Sequence, residues 1–153
     1  MRLIRRRLIL AFLLTMSWPS IIGQSSRPAG VRRPREYTFK VVNVFPHDTA
    51  AFTQGLVYRD GFLYEGTGLN GRSQLLKVRI ETGEVVQHAD LGREFFGEGI
   101  AIVGNKIFQL TWQSHVGFVY NLADFKLLRQ FSYRGEGWGL TSHGNEIFMS
   151  DGT

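Results

Sequence analysis

Three similar phrases recur along this chain at nearly constant spacing. They are QGLVYRDGFLYEGTG, EGIAIVGNKIFQLTW and WGLTSHGNEIFMSDG, which begin at Gln54, Glu98 and Trp138. The starting residues are 44 and 40 positions apart, and a period of about 40–45 residues is typical of one β-propeller blade. The repeat therefore predicts an all-β protein of the β-propeller class.

The repeated units have the pattern of paired β-hairpins. Runs of β-branched and aromatic residues, interrupted by Gly, Asn and Asp, predict strands and turns. In chain order, the predicted strands cover residues 56–58, 62–65, 74–80, 84–90, 100–103, 107–111, 117–122, 125–133, 140–142 and 147–150. Four short strands in each unit match a propeller blade. The alternative, a β-sandwich, does not explain the recurring phrases. An earlier alternating run, YTFKVVNVF after Glu36, predicts that ordered structure begins there with a strand.

The sequence stops at Thr153, inside the third unit. Propellers typically need four to eight blades to close, and just under three are predicted here. We therefore expect a fragment or a truncated product, with exposed blade faces that a closed propeller would cover.

Some equivalent positions keep one residue type in all units, and each has a structural reason. Close backbone approach or a positive φ is expected at the glycine that follows the first residue of every phrase: Gly55, Gly99 and Gly139. Paired aliphatic and aromatic positions are expected to pack blade against blade: Leu63 with Tyr64, Ile107 with Phe108, and Ile147 with Phe148.

Other equivalent positions change from unit to unit, so the scaffold does not require one residue type there. The position before the repeat glycine holds Gln54, Glu98 and Trp138. The position that ends the first hairpin holds Gly68, Trp112 and Gly152. The position two residues before the first of these holds Phe52, Phe96 and Glu136. We expect these residues to surround one pocket at the mouth of the propeller axis.

The first 25 residues have the pattern of a secretory signal peptide. A basic stretch ends at Arg7 and precedes a short apolar run, LILAFLLTM, which is shorter than the ~20 apolar residues that span a bilayer. We expect export to the periplasm or the cell exterior, with no stable membrane insertion; an uncleaved signal anchor is the alternative. Residues 26–35 are rich in Pro and Arg and predict an exposed linker. The propeller domain is predicted over residues 36–153.

The net charge of +5 does not indicate nucleic-acid binding. Residues 1–35 contain eight arginines and no acidic residue, so the predicted domain holds 10 of the 18 basic residues and all 13 acidic ones. A domain with a balance of −3 lacks the basic footprint that phosphate binding requires. The chain has no cysteine, which excludes disulfides, a thiol nucleophile and cysteine-ligated metal.

The remaining titratable residues do not predict a metal or cofactor site. Four histidines have neither an HExxH pattern nor close-paired ligand spacing: His47, His88, His115 and His143. His47 and Asp48 follow a proline and predict a turn before the first blade. We interpret Glu136 and Asp151 as structural, with Asp151 capping a turn.

Five phrases resemble the plant and bacterial type of glutaminyl cyclase, a family of five-bladed β-propellers. They are AFTQGL (51–56), FGEGI (96–100), LTW (110–112), GEGWGLT (135–141) and SDGT (150–153). The resemblance runs from near Tyr37 to the last residue, and the order of several separate motifs makes it specific. It implies a glutaminyl-peptide cyclotransferase, an acyltransferase that converts the N-terminal glutamine of peptides or proteins to pyroglutamate and releases ammonia.

The same resemblance assigns roles to individual residues. Glu98 is implied as the catalytic acid/base, and the implied substrate-binding residues are Phe52, Gln54, Trp112 and Trp138. No cofactor or metal is implied, and a complete protein is expected to be a monomer. A lysine, an asparagine and another tryptophan of the family's pocket belong to later blades.

The chemistry of these residues agrees with that assignment. The α-amine must lose a proton, and the leaving nitrogen must gain one; a single carboxyl group can move it. Apolar neighbours would raise the pKa of Glu98 towards the working pH. Three alternatives stay open. Glu98 can be an ordinary loop residue with the tryptophans in blade packing, the domain can bind a peptide or sugar without catalysis, or the product can be an inactive truncated cyclase.

Overall fold

The computed structural model describes residues 35–153. The predicted signal peptide over residues 1–25, and the predicted linker over residues 26–35 except for its last residue, lie outside the described residues. The chain divides into two units after Lys40, and Val41–Thr153 is the compact second unit. The described part of the first unit, residues 35–40, has no regular secondary structure.

The second unit contains ten β-strands, which pair only in antiparallel fashion. They are β1 (Thr53–Arg59), β2 (Phe62–Thr67), β3 (Gln74–Arg79), β4 (Val85–Asp90), β5 (Gly97–Val103), β6 (Lys106–Thr111), β7 (Val116–Asn121), β8 (Leu127–Ser132), β9 (Leu140–His143) and β10 (Glu146–Met149). Strands β1 to β4 form one sheet and β5 to β8 another, each in sequence order, and β9 pairs with β10. Successive four-stranded meanders are propeller blades, so the predicted fold class is confirmed. Across residues 35–153, no helix has the length and apolar character needed to cross a membrane.

All ten strands predicted within the repeats are present, and the differences lie at their ends. Strand β1 begins at Thr53 instead of residue 56, and β5 begins at Gly97 instead of residue 100. Phe125 was predicted to begin a strand, but it precedes β8 with a φ of 56°. Its ring is buried and lies 6.2 Å from the ring of Tyr64. Core packing therefore outweighs the β-propensity of Phe125.

The strand predicted from the YTFKVVNVF run is wrong. Residues 35–48 contain no strand, and Tyr37, Phe39 and Val44 are at least 83% exposed. A strand needs a neighbour for its backbone N–H and C=O groups. Among the described residues, no backbone hydrogen bond reaches this run. An alternating pattern indicates a surface suited to a sheet, but it does not supply the partner strand.

The residues after this run are fixed to the first blade by a buried carboxylate. Nε2 of His47 lies 3.2 Å from both carboxylate oxygens of Glu65, and the hydroxyl of Thr53 donates to the same carboxylate. Glu65 is only 1% exposed, so it needs such partners. Asp48 accepts a hydrogen bond from the amide of Ala50 at 2.9 Å, which confirms the predicted turn. The contact between His47 and Glu65 had no signal in the sequence.

The core lies between the first two blades. Its buried side chains come from both sheets: Tyr64, Leu75, Leu91, Ile100, Ile107, Phe118, Tyr120 and Phe125. Burying one large apolar side chain contributes about 1.5–3 kcal/mol, so this interface holds the two sheets together. The expected blade packing at Tyr64 and Ile107 is confirmed, whereas Phe148 in β10 is 54% exposed.

The repeat glycines lie where inner strands of neighbouring blades meet. Strand β1 contacts β5, and β5 contacts β9. A Cβ atom on Gly55 would lie 2.5 Å from the backbone nitrogen of Ile100, and one on Gly99 would lie 2.7 Å from that of Leu140. The amide of Gly99 also donates to the carbonyl of Trp138 at 2.9 Å. Close backbone approach is therefore confirmed for Gly55 and Gly99, whereas in the described part of the chain a Cβ atom on Gly139 would meet only the hydroxyl of Ser150, at 2.9 Å.

Candidate functional site

Two β-bulges contain residues of the first variable position, the one just before the repeat glycine. The register of β1 against β2 shifts between Thr53 and Gly55, and that of β5 against β6 shifts between Gly97 and Ile100. Each shift adds one residue to the inner strand, which breaks the regular alternation of faces. Gln54 lies in the first bulge and Glu98 in the second. If Glu98 had no functional role, the sequence predicted that it would be an ordinary loop residue. In the structure it lies within β5.

Equivalent backbone hydrogen bonds join the other two variable positions, the one that ends the first hairpin and the one two residues before the first variable position. The amide of Gly68 donates to the carbonyl of Phe52 at 2.8 Å, and the amide of Trp112 donates to that of Phe96 at 3.0 Å. The predicted equivalence of these positions is therefore confirmed for both four-stranded blades.

Aromatic rings from the two blades form a continuous series. The rings of Phe52 and Phe96 meet edge to face with centroids 6.1 Å apart, and those of Phe96 and Trp112 with centroids 5.7 Å apart. Phe52, Trp112 and Trp138 are 49%, 39% and 45% exposed. Part of each ring is therefore accessible to a ligand.

Two glycines leave room for the rings. A Cβ atom on Gly68 would lie 2.5 Å from Cε1 of Phe96, and one on Gly152 would lie 2.6 Å from Cζ2 of Trp138. The same Cβ atom on Gly68 would also lie 3.1 Å from Cγ of Gln54. Of the equivalent residues Gly68, Trp112 and Gly152, only Trp112 therefore contributes a ring. The two glycines leave space that the rings of Phe96 and Trp138 fill.

A second carboxylate, Glu136, binds both tryptophans. Its Oε2 accepts hydrogen bonds from the indole nitrogens of Trp112 at 2.6 Å and Trp138 at 2.9 Å. Its Oε1 accepts a hydrogen bond from the side-chain amide of Gln113 at 3.0 Å. These bonds stabilise the charged form, so they lower the pKa of Glu136.

Glu98 has the opposite electrostatic environment. Partial burial, with a smaller contribution from the charge of Glu136, raises the pKa of its carboxyl from 4.5 to about 7. At neutral pH, the protonated and ionised forms of Glu98 are therefore both populated. A carboxyl group in this state can accept a proton and return it during one reaction.

The structure brings the predicted residues together at one end of the blades. Contacts connect Phe52, Trp112 and Trp138 through Phe96 and Glu136, and Gln54 lies beside Phe96 at Gly68. Sequence reasoning missed the hydrogen bonds that Glu136 accepts from both tryptophans, although Glu136 occupies one of the variable positions. Asp151 was interpreted correctly, since it accepts hydrogen bonds from the amide and hydroxyl of Thr153 at 3.2 and 2.8 Å.

A cavity of about 560 Å³ adjoins the site. Phe52 and Gly68 line it on the side of the site, and Arg72 and Arg93 line it farther away. Glu98 does not line this cavity. Within residues 35–153, no three His, Asp or Glu side chains converge in a way that would hold a metal ion.

Comparison with known proteins identifies the family. The family model described as glutamine cyclotransferase matches residues 12–153. The chain belongs to the glutamine cyclotransferase family. The match begins inside the predicted signal peptide, well before Tyr37, where the resemblance of the sequence motifs begins.

Two family relatives give the extent of the similarity. The chain is 39% identical over 146 residues to a glutaminyl-peptide cyclotransferase of Arabidopsis thaliana, covering 94% of this chain and 44% of the relative. The crystal structure of Myxococcus xanthus glutaminyl cyclase superimposes with a TM-score of 0.63 at 36% identity, covering 71% of this chain and 45% of that one. The chain thus spans less than half the length of either relative.

A more distant structure supports the fold alone. The β-propeller domain of Myceliophteria thermophila Cps50 (Swd1) superimposes with a TM-score of 0.52 at 14% identity, covering 65% of this chain and 31% of that chain. At this level of identity, the likeness concerns the arrangement of blades and not the chemistry of the mouth.

Proposed function

We propose that the protein is a glutaminyl-peptide cyclotransferase, with Glu98 as the proton shuttle. The substrate is a peptide or protein with an N-terminal glutamine, and the products are the pyroglutamyl peptide and ammonia. The observation that carries the proposal is the placement of Glu98. Glu98 lies in a bulge of β5, at the end of the blades that carries the exposed aromatic rings, in a chain of the glutamine cyclotransferase family.

The reaction forms one C–N bond and breaks another. The neutral α-amine attacks the side-chain amide carbon, and the carbonyl oxygen takes up negative charge. Ionised Glu98 accepts the proton that the attacking nitrogen loses. It then donates that proton to the amide nitrogen as the bond between this nitrogen and carbon breaks, and ammonia leaves. Glu98 is ionised again at the end, so the cycle needs no other reactant.

The pKa of Glu98 suits this double task. A carboxyl with a pKa of about 7 is a stronger base than an ordinary glutamate, yet it releases the proton readily at neutral pH. General acid–base catalysis by a positioned group with such a pKa contributes typically 10²–10⁴-fold to rate.

The other residues of the mouth orient the glutamine. Phe52, Trp112 and Trp138 offer apolar faces that disfavour the ammonium form of the amine and fold the short side chain towards it. The side-chain amide of Gln54 can donate a hydrogen bond to the oxygen on which charge develops.

Release of ammonia from a glutamine-initiated peptide tests the proposal. We expect Glu98→Gln to lower kcat by about 10²–10⁴-fold, because glutamine keeps the shape but cannot exchange the proton. Glu146→Gln is the matched control, since it removes one exposed charge on β10 and should retain full activity. A Glu98→Gln protein with unchanged turnover would exclude the shuttle.

The competing function is binding without catalysis. A protein that releases no ammonia above the uncatalysed rate, but quenches its tryptophan fluorescence on binding the peptide, would be a peptide-binding module. A protein that neither releases ammonia nor binds the peptide would be an inactive product.

We further propose that the protein acts outside the cytoplasm. The support is the basic and apolar pattern of residues 1–25. Cell fractionation followed by N-terminal sequencing of the exported form tests it. A protein that stays in the cytoplasm with its first 25 residues intact would contradict the proposal.

A further inference from the structure

We propose that Glu136 is a positioning residue for the cyclisation. Its carboxylate fixes both tryptophans of the mouth through hydrogen bonds and holds a permanent negative charge near Glu98. This inference rests on the proposed function for its kinetic consequences, but its consequences for the tryptophans and for peptide binding do not depend on turnover.

The geometry is that of a clamp. One oxygen of Glu136 accepts from the indoles of Trp112 and Trp138 at 2.6 and 2.9 Å, and the other accepts from Gln113 at 3.0 Å. Trp112 lies at the end of the first hairpin of one blade and Trp138 begins the next unit. The carboxylate thus joins residues from two units that the sequence separates by 26 positions.

The rings need this clamp because the core does not hold them. Both indoles are at least 39% exposed, and an exposed ring has several rotamers of similar energy. Charge-assisted hydrogen bonds are roughly twice as strong as those between neutral groups. Two such bonds to one carboxylate therefore set the orientation of both rings before a substrate arrives.

The backbone around Glu136 keeps the clamp in place. The amide of Gly137 donates to the carbonyl of Trp112 at 2.8 Å, which ties the loop that carries Glu136 to the backbone of a residue whose indole it binds. On the other side, Nδ1 of His115 lies 2.7 Å from the carbonyl oxygen of Gly135. Gly135 and Gly137, the chain neighbours of Glu136, thus both contact either Trp112 or the loop that follows it.

The charge of Glu136 also acts on Glu98. Hydrogen bonds from Gln113, Trp138 and Trp112 keep the pKa of Glu136 low, and the nearby imidazole of His115 acts in the same direction. Glu136 is therefore ionised throughout the working range, and its charge adds to burial in raising the pKa of Glu98. The clamp and the shuttle are electrostatically coupled.

Two variants separate the clamp from its charge. Glu136→Gln removes the charge, so the acidic limb of the kcat/KM profile should move to lower pH, and loss of the charged acceptor should raise KM about tenfold. Glu136→Asp keeps the charge but shortens its reach, so KM should rise while the acidic limb stays closer to its original pH. Glu146→Gln should change neither quantity.

Near-ultraviolet circular dichroism gives a readout that does not require catalysis. Both Glu136 variants should alter the indole bands and weaken binding of a glutamine-initiated peptide about tenfold, even if the protein releases no ammonia. Unchanged indole bands with unchanged peptide affinity in either folded variant would overturn the inference. If Glu136→Gln does not fold, the same measurements on Glu136→Asp decide the question.

Discussion

The repeat glycines and the residues just before them are neighbours in the chain, but different forces determine them. Gly55 and Gly99 each face the backbone of the next inner strand, where no side chain fits. Gln54 and Glu98 lie in bulges, where the sheet does not prescribe a side chain. The comparison teaches that packing fixes the position of the site, whereas the chemistry depends on residues that packing leaves free.

Gly99→Ala should give the largest loss of stability. The new methyl group would overlap the backbone of Trp138 and Leu140, and a backbone cannot move aside as a flexible side chain can. We expect a loss of about 3 kcal/mol in the free energy of unfolding, measured by denaturant titration of the 153-residue chain. A loss below about 1 kcal/mol would mean that the inner strands are not tightly packed.

Glu98→Gln should have the opposite effect on stability at alkaline pH. Because the folded state raises the pKa of Glu98 from 4.5 to about 7, its contribution to stability is complete below pH 4.5 and is lost as the pH rises through 7. Glutamine avoids this loss. Since the carboxyl is only partly buried, solvent screening reduces the expected gain at pH 8 to on the order of 1 kcal/mol.

Thermal unfolding at pH 5 and pH 8 tests this sign. The variant and the unmodified chain should differ little at pH 5 and diverge at pH 8, while Glu146→Gln should show no such divergence. A less stable Glu98→Gln protein at pH 8 would show that Glu98 makes a favourable structural contact in its ionised form.

Gln54→Ala should affect the reaction more than the fold. Loss of one neutral hydrogen bond to the substrate costs about 0.5–1.5 kcal/mol, so kcat/KM should fall roughly three- to tenfold, with the unfolding midpoint nearly unchanged. Steady-state ammonia release measures the first quantity. A loss of stability without a kinetic change would assign Gln54 to the scaffold instead.

Gly139→Ala should have the smallest effect of the four. Among the described residues, a Cβ atom at Gly139 meets only the hydroxyl of Ser150, at 2.9 Å, and a serine side chain can rotate away. In the 153-residue chain the expected loss is below about 1 kcal/mol. A loss as large as that of Gly99→Ala would show that the two glycines are equally confined.

Sequence periodicity was sufficient to predict the blades, the order of the strands and the residues around the mouth. Repetition made this possible, because Gln54 and Glu98 could be placed as equivalents before any contact was known. The sequence could not place residues whose role depends on a distant partner. The alternating run after Glu36 lacks a partner strand. The conformation of Phe125 depends on packing against the ring of Tyr64. The proposed role of Glu136 depends on the two indoles that it binds.

The contact between His47 and Glu65 sets a boundary for trimming the protein. Removing the described residues before Pro46, 35–45, should leave the hydrogen bonds of the first blade in place, because these residues contribute no strand to it. Removing His47 as well would leave the buried Glu65 carboxylate without its imidazole partner, with only the hydroxyl of Thr53 still bonded to it. A truncated chain that keeps this buried acid paired with an imidazole must therefore begin no later than His47.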